Sequence, residues 1–304
     1  MENITDTETL LFSGGAMKCV SILGSLQYLF EKEIIKSNFE GIKDIYFVSG
    51  SSIYITPLLL GFSMDSTIDL FKKIDYREIY KSSNEMNIQN LFNNFGLKKI
   101  SEFKYVMEAI FRAKNIKVDI TLKEFYEFKN INIHFRVINL NKEKTEYLNK
   151  DNSPNLKYID AITMTSCIPL LFEPIEYNGC KYIDGGVNNN FPYEIISKEK
   201  KYIGINIIPS IISLYDKEGG EEKKDNDLND ITKYLYTIYN IYGAHPMEKP
   251  SINHIKLLID GTGVDFDRFS SVISETILLG YNTTKEHFSN FQKHNDSSPE
   301  ENED

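Results

Sequence analysis

The chain predicts an α/β domain built on a mainly parallel sheet, and two observations predict it. A strand, a glycine-bearing turn and an apolar helix follow one another twice within the first sixty residues, the order in which parallel strands are joined by crossover helices. Further strand-like segments then recur down the chain with helical stretches between them.

Residues 9–12, Thr-Leu-Leu-Phe, read as a short strand that runs into Ser13-Gly14-Gly15. Val20, Leu23, Leu26, Leu29 and Phe30 fall at three-and-four spacing and predict the first helix. Gly41 breaks the chain before a buried second strand, Ile45-Tyr46-Phe47-Val48, which ends at Ser49-Gly50-Ser51-Ser52. An apolar helix then reaches Gly61. Residues 64–129 form a helical insert with helices over 66–73, 99–113 and 121–128, separated by Asn/Gly loops such as 93–96. Strands resume at 131–139 and 144–148, a helix follows over 160–168, and 170–177 is extended. Asn178-Gly179 predicts a hairpin turn, and Lys181-Tyr182-Ile183 returns to deliver Asp184-Gly185-Gly186. Strands at 202–208 and 254–259 and a last helix over 270–288 close the domain. The domain is expected to span 9–290, after an extension 1–8, with an acidic mobile loop at 213–230 and a disordered acidic tail at 291–304.

Bulk properties narrow the function. A net charge of −10 removes the global positive field that nucleic acid or an anionic membrane would need, so any membrane contact is local and peripheral. Cys19, Cys167 and Cys180 show no paired spacing and read as free thiols in a reducing compartment. Residues 1–9 lack an apolar core for a secretory signal, and the apolar stretch 53–62 is too short to span a bilayer and holds Pro57. The expectation is a soluble, cytoplasmic protein.

Chemistry concentrates at three places. A serine nucleophile needs exposure on a turn, a base, and donors for the oxyanion it creates. Ser52 has a glycine two residues before it, Gly50, and a helix starting beneath it, so it is the candidate nucleophile; Ser51 is the rival but lacks that glycine. Gly14-Gly15-Ala16-Met17-Lys18 is a second strand-to-helix turn whose small residues leave backbone N–H groups open, either for an oxyanion or for a phosphate. Neither a P-loop nor a dinucleotide fingerprint is present, which disfavours a nucleotide. Asp184 ends a strand before two glycines and is the candidate base. A Ser–Asp–His triad through His245 or His254 is formally possible, but α/β-hydrolases place several strands before the nucleophile and Ser52 follows about the second. His134 reads as a sheet residue, and His287 and His294 carry no motif.

Taken together these residues resemble the patatin-like phospholipases, lipid acyl hydrolases with a Ser–Asp dyad. The likeness rests on the two glycine turns, on residues 161–174 leading to the aspartate, on Tyr182-Ile183-Asp184-Gly185-Gly186-Val187 with Asn190-Phe191-Pro192, and on 263–267 and Gly280-Tyr281 near the end. The resemblance implies a three-layer α/β/α sandwich, Ser52 as nucleophile and Asp184 as base. It implies Gly14, Gly15 and Ala16 as oxyanion donors, with Lys18, Gly50, Gly185 and Gly186 in support, and neither metal nor cofactor. It implies a glycerolipid or phospholipid substrate and phospholipase A-type hydrolysis. Three positions depart from the family's pattern. Ala16 and Cys19 replace glycines of the first turn, and alanine is costly there if φ is positive. Tyr54 stands at the last glycine of G-x-S-x-G, bringing a large ring to the inside of the turn. The alternative reading is therefore a catalytically degenerate member that binds lipid or a partner without turnover.

Three surface features are weighed too. Phe92, Phe95 and Leu97 of the insert read either as core or as cover over the site. Tyr234, Tyr236, Tyr239 and Tyr242 read as a packed surface helix or an interfacial one, and Lys198, Lys200 and Lys201 as a solvated cluster.

Overall fold

A computed structural model describes residues 6–76, 88–196, 201–209, 251–259 and 266–296. The acidic loop, the tyrosine-rich stretch, Lys198, Lys200, His245 and residues 263–265 lie outside the described residues, as do 1–5 and 297–304.

The two opening units form as expected. Strand β1 (Thr9–Phe12) leads through a 3-10 turn at Ala16–Val20 into helix α1 (Ser21–Glu31), and β2 (Asp44–Val48) leads into α2 (Ser51–Leu59). The insert gives α3 (Met64–Lys73), α4 (Ile88–Asn94), a short strand β3 (Gly96–Lys98), α5 (Ser101–Ala113) and α6 (Leu122–Lys129). Local chemistry fixes these starts. The Ser63 hydroxyl accepts the Ser66 N–H, so α3 begins two residues earlier than the apolar spacing suggests. Thr121 and Glu124 close a reciprocal capping box on α6.

Then come β4 (Asn132–Asn139), β5 (Lys144–Leu148), α7 (Tyr158–Thr165), β6 (Leu170–Phe172), β7 (Ile175–Tyr177) and β8 (Cys180–Asp184). Strands β9 (Tyr202–Pro209) and β10 (His254–Ile259) and the long helix α8 (Phe266–Asp296) complete the described chain. The segment expected as one extended run over 170–177 is two strands in two sheets. β6 leaves to pair with β3, while β7 turns at Asn178 and Gly179, both at positive φ, and pairs with β8.

The main sheet runs β10-β9-β1-β2-β4-β8-β7, with β5 on β4. Its centre, from β10 to β4, is parallel throughout, and the β4, β5, β7 and β8 pairings are antiparallel. This is the mainly parallel α/β sheet the sequence predicts. All four residues of β1 and the last four of β2 are buried, as strands covered on both faces must be. Helix α1 packs on α8, where the Ser25 hydroxyl donates to the Gly280 carbonyl and Tyr28 meets Tyr281 edge-on.

One detail of register positions the site. β2 pairs with β4 up to Val48 opposite Arg136, and β8 pairs with β4 from Asn139 back to Asp184 opposite Val137. β5 occupies the other edge of β4 over Phe135–Asn139. The ends of β2 and β8 therefore meet head-on along one edge of β4. The residue after Val48 and the last residue of β8 are brought together.

Candidate active site

The residue after Val48 is Ser49, and it is the serine that meets Asp184. The Ser49 hydroxyl donates to Asp184 Oδ2 at 2.5 Å, while Asp184 Oδ1 accepts the Gly186 N–H at 2.7 Å. Ser49 lies at φ 56, a left-handed conformation unusual for serine, and this is the strained corner between β2 and α2. Neighbouring backbone holds both partners. The Ser49 N–H donates to Thr165 Oγ1, and the Thr165 hydroxyl in turn donates to the Arg136 carbonyl. The Asp184 N–H donates to the Cys167 carbonyl.

Ser52 is not at this meeting point. It is fully buried on the first turn of α2, and its hydroxyl donates back to the Ser49 carbonyl at 2.8 Å. Ser51 is buried as well; its hydroxyl donates to the Val48 carbonyl and accepts the Val48 N–H. Both hydroxyls staple the corner: Ser51 bonds the Val48 backbone on both sides, and Ser52 adds a second donor to the Ser49 carbonyl, which also accepts the Ser52 N–H. The expectation built on the glycine before Ser52 is corrected here, because the sharp corner comes one residue before Gly50 rather than two after it. With Ser49 at the corner, Phe47 and Ser51 occupy the places two residues away on either side. Tyr54 lies more than a turn further along α2, where its ring packs on Phe71 at 4.5 Å between centroids. Burial first, and Tyr76 alongside it second, keep the Tyr54 hydroxyl protonated. Tyr54 is therefore not a residue of the corner, and the steric objection it raised does not apply there.

Gly50 answers a different need. A Cβ at this position would lie 2.5 Å from the Ala16 carbonyl oxygen, so glycine lets α2 approach the first glycine turn at backbone contact. A Cβ on Gly14 would likewise lie 3.0 Å from the Ser49 Cβ. The two turns thus abut, as expected for loops at the ends of neighbouring parallel strands. Their donors are unequal. The Gly14 N–H is spent on the Asn190 carbonyl at 2.9 Å, which removes it from the expected oxyanion set. Among the described residues no acceptor takes the N–H of Gly15, Ala16 or Gly50. Ala16 sits at φ 47, so the alanine that replaces glycine there carries strain on the order of 1 kcal/mol. Lys18 is buried, and its Nζ approaches the Ile259 carbonyl at the end of β10 at 3.4 Å.

Arg136, which the sequence did not single out, locks the turn after Asp184. Its guanidinium is 3% exposed and donates to the carbonyls of Gly185 and Asn189, to Asn188 Oδ1 and to Glu194 Oε1. Glu194 shows the counter-effect: burial raises its pKa, yet Arg136 and hydrogen bonds outweigh that and hold it below the ordinary carboxylate range. Gly185 packs against the Arg136 backbone.

Other nucleophiles and bases are disfavoured by position. Burial first, then the nearby Asp184 charge, push the Cys19 and Cys167 thiols up, so neither forms a thiolate near neutral pH. His134 is tied to Asp44 at 2.7 Å and stacked on Tyr46, His254 is stacked on Phe191, and His287 is bonded to the Ile252 carbonyl.

Ser49 and Gly50 open onto a largely apolar cavity walled by Tyr54, Phe71, Ile100, Phe103, Val106, Ile168, Leu171 and Phe172, with Ala16, Met17 and Ser166 near its polar end. Helices of the insert thus build the wall, as the cover reading supposed. The residues named for that role differ: Phe92 and Phe95 are surface groups, 77% and 56% exposed, while Leu97 is core.

The comparisons with known proteins bear on this arrangement. The model of the patatin-like phospholipase family matches residues 10–196. The probable lipid hydrolase 463L of Invertebrate iridescent virus 6 is 31% identical over 234 residues, 73% of this chain and 76% of the viral protein. The uncharacterized protein YqhO of Bacillus subtilis is 26% identical over 214 residues, 66% of this chain and 70% of its own length. Among solved structures, VipD from Legionella pneumophila shares the fold with a TM-score of 0.56 over 94% of this chain and 67% of VipD, at 15% identity. The class is an α/β protein of the lipid-hydrolase kind. Within it, the chain belongs to the patatin-like phospholipase family.

Proposed function

We propose that the chain is a lipid acyl hydrolase of phospholipase A type, acting on carboxylic esters of glycerolipids through Ser49 and Asp184. The observation that carries the reading is the 2.5 Å hydrogen bond from a strained corner serine to a buried carboxylate at the mouth of an apolar cavity.

The chemistry follows from the geometry. Ser49 Oγ attacks the ester carbonyl as its proton passes to Asp184 Oδ2, forming a tetrahedral intermediate. The Gly15, Ala16 and Gly50 N–H groups face the negative oxygen, and the amino end of α2 adds its positive dipole. Collapse expels the alcohol with the proton returned from Asp184 and leaves an acyl-Ser49 ester. Water then attacks that ester, giving its proton to Asp184, and the second collapse releases the fatty acid and restores the serine. The Gly186 N–H on Oδ1 fixes the carboxylate so that Oδ2 faces Ser49. The cavity beside Ser49 has the aliphatic and aromatic walls that an acyl chain requires.

Substrate in a bilayer is reached by peripheral contact. Phe92, Phe95 and Leu170 supply exposed apolar surface near the β3–β6 pair, whose Leu171 and Phe172 line the cavity. No helix among the described residues is long and apolar enough to cross a membrane.

The test is hydrolysis of a chromogenic short-chain ester and of phosphatidylcholine in mixed micelles. Wild type should turn both over, and Ser49→Ala and Asp184→Asn should each lose roughly a thousandfold or more in kcat. Equal rates for wild type and Ser49→Ala would sink the mechanism and favour the degenerate, binding-only reading.

A further inference from the structure

We propose that Ser166 is a substrate-contacting residue whose hydroxyl hydrogen-bonds the ester group of the lipid; this rests on the reading of the cavity as the acyl site. Residues 165–167 lie at the end of α7, and three side-by-side facts assign them different tasks. Thr165 accepts the Ser49 N–H, and the Cys167 carbonyl accepts the Asp184 N–H. Between them, Ser166 lines the same cavity as Ser49. Its residue is 7% exposed, and its Oγ has no hydrogen-bond partner among the protein's groups.

A buried hydroxyl without a partner is a standing penalty for the fold, and most buried polar groups avoid it. Its neighbours show how readily the alternative arises here. Ser51, Ser52, Thr56 and Thr163 each donate to a carbonyl of their own turn. Ser166 stands apart from them: its N–H and carbonyl are both used by the backbone, yet its hydroxyl has no partner, and the residue is one of those that line the cavity. Apart from Ser49 and Ser166 the side chains of the cavity wall are aliphatic or aromatic, so the two hydroxyls suit a ligand that places polar atoms at this end and hydrocarbon beyond it. An acyl ester docked with its carbonyl at Ser49 has that distribution. Ser166 then contributes to ground-state binding and orientation, and no proton transfer is assigned to it.

The experiment uses the full chain in two backgrounds. In Ser49→Ala the ester stays intact, so titration with p-nitrophenyl octanoate, and with the matched octyl ether lacking a carbonyl, reads binding independently of turnover. Adding Ser166→Ala should weaken the ester by about tenfold, the size of one hydrogen bond to an otherwise unpaired group, and leave the ether unchanged. In the otherwise wild-type chain, Ser166→Ala should keep or raise Tm while kcat/KM falls. An unchanged ester Kd, or equal losses for ester and ether, overturns the proposal, as does a lower Tm with unchanged kcat/KM. Failure of the dyad is separable: it shows as absent wild-type turnover, whereas the binding comparison still decides the role of Ser166.

Discussion

The Arg136→Ala variant should unfold more easily and react more slowly, because Arg136 holds the turn that follows Asp184. The guanidinium is almost wholly buried and holds four acceptors: the carbonyls of Gly185 and Asn189, Asn188 Oδ1 and Glu194 Oε1. Truncation leaves the Gly185 carbonyl buried without that donor, at about 1–3 kcal/mol. Glu194 has a side chain 39% exposed, so it rehydrates and its share is discounted to under about 1 kcal/mol. With the lost packing of the long side chain, the total falls at about 3–5 kcal/mol, the usual range for breaking a buried pair from one side. The kinetic effect follows from displacement. Gly185 and Gly186 follow Asp184 directly, and Gly186 anchors its Oδ1, so loosening the turn by about 1 Å should lower kcat on the order of a hundredfold. Arg136→Lys keeps the charge but not the planar fork, and should recover less than half of the stability. Urea melts by circular dichroism and ester hydrolysis of the soluble fraction measure both. A ΔΔG under about 1 kcal/mol with kcat within threefold of wild type would refute the assignment of Arg136 as the lock on this turn.

Three further outcomes are expected. Gly50→Ala drives a Cβ against the Ala16 backbone, and because backbone yields little, esterase activity should fall at least about a hundredfold while the protein stays folded, read by kinetics and near-UV circular dichroism. Ser52→Ala removes one buried hydrogen bond, but the Ser49 carbonyl keeps the Ser52 N–H, so stability should drop by about 1 kcal/mol and kcat should stay within tenfold. Burial lowers the pKa of His254 from its ordinary value to about 4, so the unfolded chain takes up a proton near pH 6.5 that the folded chain refuses. Its contribution to stability is therefore present above pH 6.5 and lost between about 6.5 and 4, on the order of 2 kcal/mol at pH 5; denaturant melts of His254→Phe should show a flatter pH dependence.

Much of the fold is legible because periodicity and turn residues report burial directly. The strands 144–148 and 254–259 are found at their expected limits, since alternation and flanking polar residues leave little choice. The split at 170–177 was hidden because β6 and β7 are three residues each, and nothing local says that the first pairs with Gly96–Lys98. The place of Asp184 at the end of a strand was legible from Asp-Gly-Gly, the start of a tight turn. The serine that meets Asp184 lies three residues before the one expected, because Gly-x-Ser was read as the device that bends the chain. In the structure the glycine serves the contact with Ala16, and Ser49 itself takes the positive φ. Counting from the end of the strand, which was read correctly at Val48, points to Ser49 at once. Arg136 and Ser166 were illegible for a different reason. Their meaning lies in which carbonyls surround a guanidinium and which hydroxyl finds none, and such facts exist only once distant segments are packed.

The most direct test of the account is the site of covalent labelling by a fluorophosphonate. Ser49, Ser51 and Ser52 lie between Lys43 and Lys72 in one tryptic peptide, so fragmentation spectra must separate them. A stoichiometric adduct on Ser49, abolished by Ser49→Ala and by Asp184→Asn but retained in Ser52→Ala, is the predicted result. An adduct on Ser52, or labelling that survives the loss of Ser49, would contradict it.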